Sequence, residues 1–60
     1  MTMEEARVKA RYTKRAVARE LNVSEQTIYN WEKGKRLPDA KQFAQMCKMY
    51  GCSWADIILP

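Results

Sequence analysis

Apolar side chains recur at intervals of three and four residues along most of the chain, a spacing that predicts α-helices and no strands. We expect five helices, at residues 3–10, 14–21, 25–33, 40–50 and 54–58. Capping residues precede four of these segments: Thr13, Ser24, Asp39 and Ser53. Asp39 forms a capping box with Gln42. Residues that favour a left-handed stop follow three of them: Asn22, Gly34 and Gly51. The pattern predicts an all-α fold and one domain over residues 1–60.

The apolar positions of the predicted helices supply a core for this bundle. They are Val17, Ala18, Leu21, Ile28, Trp31, Phe43, Met46, Cys47, Tyr50, Trp54, Ile57 and Ile58. We interpret the two tryptophans, with Phe43 and Met46, as core residues and not as a cage for a ligand.

The helix predicted over residues 25–33 has two unlike faces. At about 100° per residue, five side chains fall within an arc of roughly 140°; they are Glu25, Gln26, Tyr29, Asn30 and Lys33. Thr27, Ile28 and Trp31 lie on the other side. A helix that is apolar behind and carries amides in front suits the reading of base edges in a DNA major groove.

Charge is distributed unevenly along the chain. The 60 residues carry a net charge of +4, and 47% of them are hydrophobic. Residues 7–36 hold nine Lys or Arg and three Glu, which gives +6, whereas the remainder sums to −2. On charge alone a solvated basic surface remains an alternative, but the excess surrounds the polar helix, where a polyanion would dock.

The sequence gives no sign of a metal site, a cofactor, catalysis or a membrane span. The chain has no His, and Cys47 and Cys52 are its only cysteines, so we expect no metal site, no cofactor and no catalytic group. Both thiols are expected to be reduced and buried. No apolar run approaches the ~20 residues of a membrane span, and no signal peptide is evident. We therefore expect a cytoplasmic protein.

The motifs from Thr13 onward resemble the lambda-repressor-like, or Xre/Cro-type, helix-turn-helix family. The resemblance rests on Thr13-Lys14, Leu21-Asn22-Val23-Ser24, Thr27-Ile28, Trp31-Glu32-Lys33-Gly34-Lys35-Arg36 and Pro38. It continues through Phe43, Met46, Cys47, residues 50–53 and Ile57, and so covers residues 3–58. Two positions depart from the usual pattern, because Asn22 stands where the family has Gly and Lys14 where it has Gln.

Physical chemistry and the resemblance together suggest roles on DNA. Gln26 and Asn30 are the strongest candidates for reading bases. Glu25 is explained equally well as an acid that complements the helix dipole, and Tyr29 as a residue that packs on the adjacent helix. The candidates for phosphate contacts are Thr13, Lys14, Arg15, Ser24, Lys33, Lys35 and Arg36. The resemblance also implies a structural ion pair between Arg7 and Glu32.

The resulting hypothesis is a sequence-specific regulator of transcription that binds a double-stranded DNA operator, as a bacterial or phage repressor or a Cro-like protein does. We expect a homodimer on DNA, with Trp54 and residues 57–60 either at the dimer contact or closing the core, and no small-molecule ligand. Two alternatives remain open. One is the DNA-targeting helix-turn-helix of a transposase or a phage terminase small subunit. The other is a protein-binding adaptor or antirepressor that has lost DNA binding.

Overall fold

The computed structural model describes residues 1–59, which form four α-helices and one 3-10 turn. The helices are α1 (Met3–Lys9), α2 (Lys14–Leu21), α3 (Glu25–Lys33) and α4 (Ala40–Tyr50), and the turn is Trp54–Asp56. The all-α prediction is confirmed, and the bounds predicted for α2, α3 and α4 agree with those observed. The first helix ends one residue earlier than predicted, at Lys9.

Each helix begins at a side chain that accepts a hydrogen bond from the backbone three residues later. The predicted caps of α2, α3 and α4 act in this way, accepting from Ala16, Thr27 and Gln42. At α1 the cap is Thr2, and the Glu5 carboxylate accepts in return from the Thr2 backbone N–H at 2.8 Å. That backbone hydrogen bond lowers the pKa of Glu5. These caps satisfy amides that the helices leave unpaired and thereby fix where each begins.

Each helix is followed, within two residues of its end, by a residue with left-handed backbone. These residues are Arg11, Asn22, Gly34 and Gly51, with φ of 64°, 56°, 79° and 70°. In every case the next amide donates to the carbonyl five residues earlier, as from Val23 to Ala18 at 2.9 Å. This is the hydrogen bond of the Schellman motif. Three of the four stops were predicted, and Arg11 was not.

The core forms where α1, α2, α3 and α4 face one another. Its buried apolar members are Met3, Ala6, Val17, Ala18, Ile28, Trp31, Met46, Cys47 and Ile57. Leu21, Phe43 and Tyr50 are partly buried and pack against this core. Val17 and Ile28 have no exposed surface, so α2 and α3 are both anchored in the core.

The prediction of a fifth α-helix over residues 54–58 is wrong. Ser53 and Asp56 form a capping box that closes a single 3-10 turn, after which Ile57 is extended (φ −99°, ψ 128°). The Ile58 amide then donates to the Met1 carbonyl at 2.7 Å, a bond outside any helix. In consequence Ile57 reaches the core. Trp54, interpreted as a core residue, is 71% exposed, and Ile58, expected either in the core or at a dimer contact, is 67% exposed.

The segment after α4 is also bound to the first residue of the chain. The amino group of Met1 donates to the Asp56 carbonyl at 2.9 Å, so the first residue is bound to the segment after α4. Leu59 is 43% exposed, and Pro60, which was assigned to the same contact, lies outside the described residues.

Within residues 1–59, none of the helices combines the length and the apolar character needed to cross a membrane.

Candidate nucleic-acid interface

The two faces of α3 differ in burial as its sequence pattern predicted. Ile28 and Trp31 are 0% and 3% exposed and pack into the core. On the opposite face Glu25, Gln26 and Tyr29 are exposed. Asn30, on the same face, is half-buried, and a turn of three residues separates α3 from α2. The exposed residues of this face are available to a partner.

Gln26 and Asn30 are joined on that face. The Gln26 Nε2 atom donates to Asn30 Oδ1 at 3.1 Å, across one turn of the helix. This hydrogen bond leaves the Gln26 Oε1 atom as an acceptor and the Asn30 Nδ2 atom as a donor. Adenine presents an N6 donor and an N7 acceptor in the major groove, so the paired amides match it chemically as a unit.

Tyr29 lies close to two lysines near the end of α3. The Nζ atoms of Lys33 and Lys35 are 5.7 and 5.5 Å from the centre of its ring. At these distances an aromatic ring attracts a cation. Tyr29 therefore gathers two cations on one edge of the polar face, and the exposed Arg36 follows them in the chain.

A second group of cations surrounds the start of α2. A groove of about 560 Å³ is lined by Arg7, Val8, Arg11, Tyr12, Thr13, Lys14, Arg15 and Glu25. It brings the predicted Lys14 and Arg15 together with Thr13 and with Glu25 of α3. It also contains Arg11, which the sequence interpretation did not single out. Basic side chains thus border the polar face of α3 at both of its ends.

The two hydroxyl candidates already serve as caps. Thr13 Oγ1 accepts from the Ala16 amide at 3.0 Å, and Ser24 Oγ accepts from the Thr27 amide at 3.1 Å. Ser24 Oγ is also 2.9 Å from Thr27 Oγ1. A hydroxyl has one donor hydrogen as well as its acceptor lone pairs, so Thr13 retains a donor for a phosphate oxygen.

Arg7 and Glu32 form the ion pair that the resemblance implied. Arg7 Nε is 2.7 Å from Glu32 Oε2, and the side chains are only 9% and 2% exposed. Arg7 Nη1 donates in addition to the Tyr12 carbonyl at 2.8 Å. One guanidinium therefore ties α1 to α3 and to the turn that precedes α2, which fixes the basic groove relative to the polar face.

The cysteines take no part in this surface. Cys47 and Cys52 are free thiols; Cys47 is buried as expected, whereas Cys52 is only half-buried. Burial raises the pKa of Cys47 to about 11. Such a thiol is protonated and unreactive near neutral pH. Among residues 1–59 no group of three Cys, Asp or Glu side chains comes together as a metal site would require.

Arg11 is the residue of this surface that sequence reasoning missed. A left-handed stop is usually recognised by Gly or Asn, and an arginine in that position gives no such signal. Of the predicted residues, Thr13, Lys14, Arg15 and Glu25 line one groove, and Lys33 and Lys35 lie beside Tyr29.

The family model described as helix-turn-helix matches residues 3–57, nearly the whole chain. No curated protein and no solved structure matches.

Proposed function

Since this chain belongs to the lambda-repressor-type helix-turn-helix family of DNA-binding domains, we propose that it is a sequence-specific regulator of transcription, acting as a repressor or Cro-like protein of a bacterium or phage. In this proposal α3 enters the major groove of an operator. Gln26 and Asn30 contact bases there, with Glu25 and Tyr29 beside them.

The observation that carries the proposal is the polar face of α3 bordered by cations. Lys14 and Arg15 stand in the first turn of α2, where the helix dipole disfavours positive charge. A phosphate at that position would offset the cost and accept backbone hydrogen bonds as well. Lys33, Lys35 and Arg36 at the other end would contact phosphates along the same groove. Thr13 and Ser24 are proposed to add hydroxyl contacts.

We propose further that two copies act together. Dimeric helix-turn-helix proteins read half-sites about 34 Å apart on one face of the duplex. Trp54, Ile58 and Leu59 are exposed apolar side chains, and they are our candidates for the contact between copies. Occupying a promoter in this way would exclude polymerase or recruit it, in the cytoplasm and without a cofactor or an inducer.

Selection of bound sequences from a random pool of double-stranded DNA tests the proposal directly. We expect enrichment of a site with two-fold symmetry, and an affinity that falls steeply as salt rises. An affinity that does not change with salt, or a pool that shows no enrichment, would contradict it. An enriched site resembling a transposon end or a packaging site would favour the targeting alternative, and binding to protein without binding to DNA would favour the adaptor.

A further inference from the structure

Arg11 adopts a backbone conformation that arginine rarely takes. Its φ is 64°, and apart from Asn22 it is the one non-glycine residue of positive φ in the described chain. The Cβ atom of an L-residue crowds the following carbonyl there, which is why glycine usually fills such positions. The arginine is therefore present in spite of a local conformational cost.

The fold needs the left-handed backbone at this position but has no evident need for the arginine side chain. The Arg11 amide donates to the Val8 carbonyl at 2.9 Å, and the Tyr12 amide to the Arg7 carbonyl at 3.1 Å. Both bonds belong to the main chain, and glycine would make them without strain. The Arg11 side chain is exposed and forms no ion pair with the carboxylates of residues 1–59.

The surroundings of Arg11 are strongly positive. It lines the groove at the start of α2 together with Lys14, Arg15 and Glu25. Arg7 lies in the same groove, but Glu32 neutralises it. Three cations and one carboxylate therefore leave this groove with a charge of about +2, which suits an anionic group.

We propose that Arg11 binds a phosphate of the DNA backbone in this groove, together with Lys14 and Arg15. The inference rests on the proposed function and adds the α1–α2 turn to the interface. Because Arg7 holds that turn and Glu32 of α3 at once, the phosphate bound there would be set at a fixed distance from the bases that α3 reads. Arg11 would then help to set the register of the domain on its operator.

Arg11→Gly separates this role from a structural one. The fold should keep its melting temperature or gain in it, because glycine relieves the left-handed strain. Binding to a mixed-sequence duplex should weaken several-fold, and the slope of log K against log salt should fall by about 0.9, as expected for one phosphate contact. Arg11→Lys keeps the charge, so its slope should lie between that of Arg11→Gly and that of the wild type.

Two matched controls accompany the variant. Asn22→Gly makes the same backbone change at the end of α2 without altering charge, and it should leave the salt slope as in the wild type. Lys48→Gln removes one cation at the end of α4, outside the groove, and should also leave that slope as it is.

The outcomes distinguish the two proposals. Failure of the unmodified protein to bind duplex DNA would overturn the proposed function. Normal binding with an unchanged slope in Arg11→Gly would overturn the role of Arg11 alone. A melting temperature well below that of the wild type would show that the arginine stabilises the fold, which would also overturn the role proposed here.

Discussion

Arg7 and Glu32 are joined by an ion pair of 2.7 Å in which both side chains are almost completely buried. The pair links α1 to the end of α3, residues 25 positions apart in sequence. Removing one member would leave the other charged and without its partner in a region of low dielectric, and the desolvation cost of that charge would then be uncompensated.

We therefore expect Glu32→Ala to lower the free energy of unfolding by about 3–5 kcal/mol. That is a large part of the stability of a domain of this size. Urea unfolding followed by circular dichroism measures it. Glu4→Gln is the control, because Glu4 is 3.9 Å from Arg7 and 50% exposed; it should change stability by less than about 1 kcal/mol. Equal effects of the two substitutions would contradict the assignment.

The Gln26–Asn30 hydrogen bond predicts that these residues act as a coupled pair on DNA. Gln26→Ala should cost about 1–3 kcal/mol of binding on the selected site and relax specificity at one position. The double variant with Asn30→Ala should lose less than the sum of the single changes, by about 0.5 kcal/mol or more. Binding titrations of all four proteins give this coupling. Strict additivity would mean that each amide contacts its base independently. An unaltered affinity in Gln26→Ala would mean that α3 does not enter the groove as proposed.

Tyr29 should act through its ring. Tyr29→Phe keeps a ring beside Lys33 and Lys35 and should retain most of the affinity for DNA. Tyr29→Ala releases both lysines and should weaken binding to all sequences alike, as Lys35→Ala should. Electrophoretic mobility shifts on the selected site and on an unrelated duplex compare these variants. A large loss in Tyr29→Phe would instead assign the contact to the hydroxyl.

Stability should decline in alkaline solution because two buried groups resist ionisation. The pKa of Cys47 is raised from 9.0 to about 11, and burial raises that of Tyr50 as well. The unfolded chain therefore releases these protons at lower pH than the folded one, so stability that is complete below pH 9 is lost as the pH rises toward 11. The urea midpoint at several pH values measures this loss, and a midpoint constant across that range would refute it.

Tyr50→Phe should reduce this alkaline loss. The Tyr50 hydroxyl is buried without a hydrogen-bond partner among residues 1–59, so its removal also removes the cost of burying an unsatisfied polar atom. We expect a gain of about 1 kcal/mol at neutral pH, measured by the same urea titration. A destabilised variant would show that the hydroxyl contributes an interaction of its own.

Trp54 offers a test of the proposed contact between copies. At 71% exposure it should contribute little to the fold, so Trp54→Ser should unfold at nearly the wild-type temperature. If Trp54 joins two copies, the same change should lower the affinity for a complete two-half site while leaving binding to a single half-site intact. Equal binding to both sites by the variant and the wild type would exclude this residue from the contact.

The sequence predicts most of this fold because its boundaries are set by local signals. Thr13, Ser24 and Asp39 each cap through an amide three residues away, and Gly34 and Gly51 stop helices by their own conformation. These effects require no knowledge of the remainder of the chain. For the same reason the segregation of Ile28 and Trp31 from the polar face of α3 follows from periodicity alone.

What the sequence could not predict depends on distant contacts. Ile58 leaves the helical path and donates to the carbonyl of Met1, a partner that no local pattern around residue 58 indicates. Trp54 consequently points away from the core that its apolar character suggested. Arg11 was missed for a different reason, since propensity gives no sign that an arginine will occupy a left-handed position.

The division of α3 into a buried face and a polar face has a consequence for the evolution of the domain. Ile28 and Trp31 carry the packing, while Glu25, Gln26 and Tyr29 are exposed on the opposite side. Substitutions on the polar face can therefore accumulate with little loss of stability, so that under the proposed function new operators would be acquired on a scaffold that stays the same. Exchange of these few side chains for those of another reader should transfer its preference, which makes the domain a practical starting point for redesign.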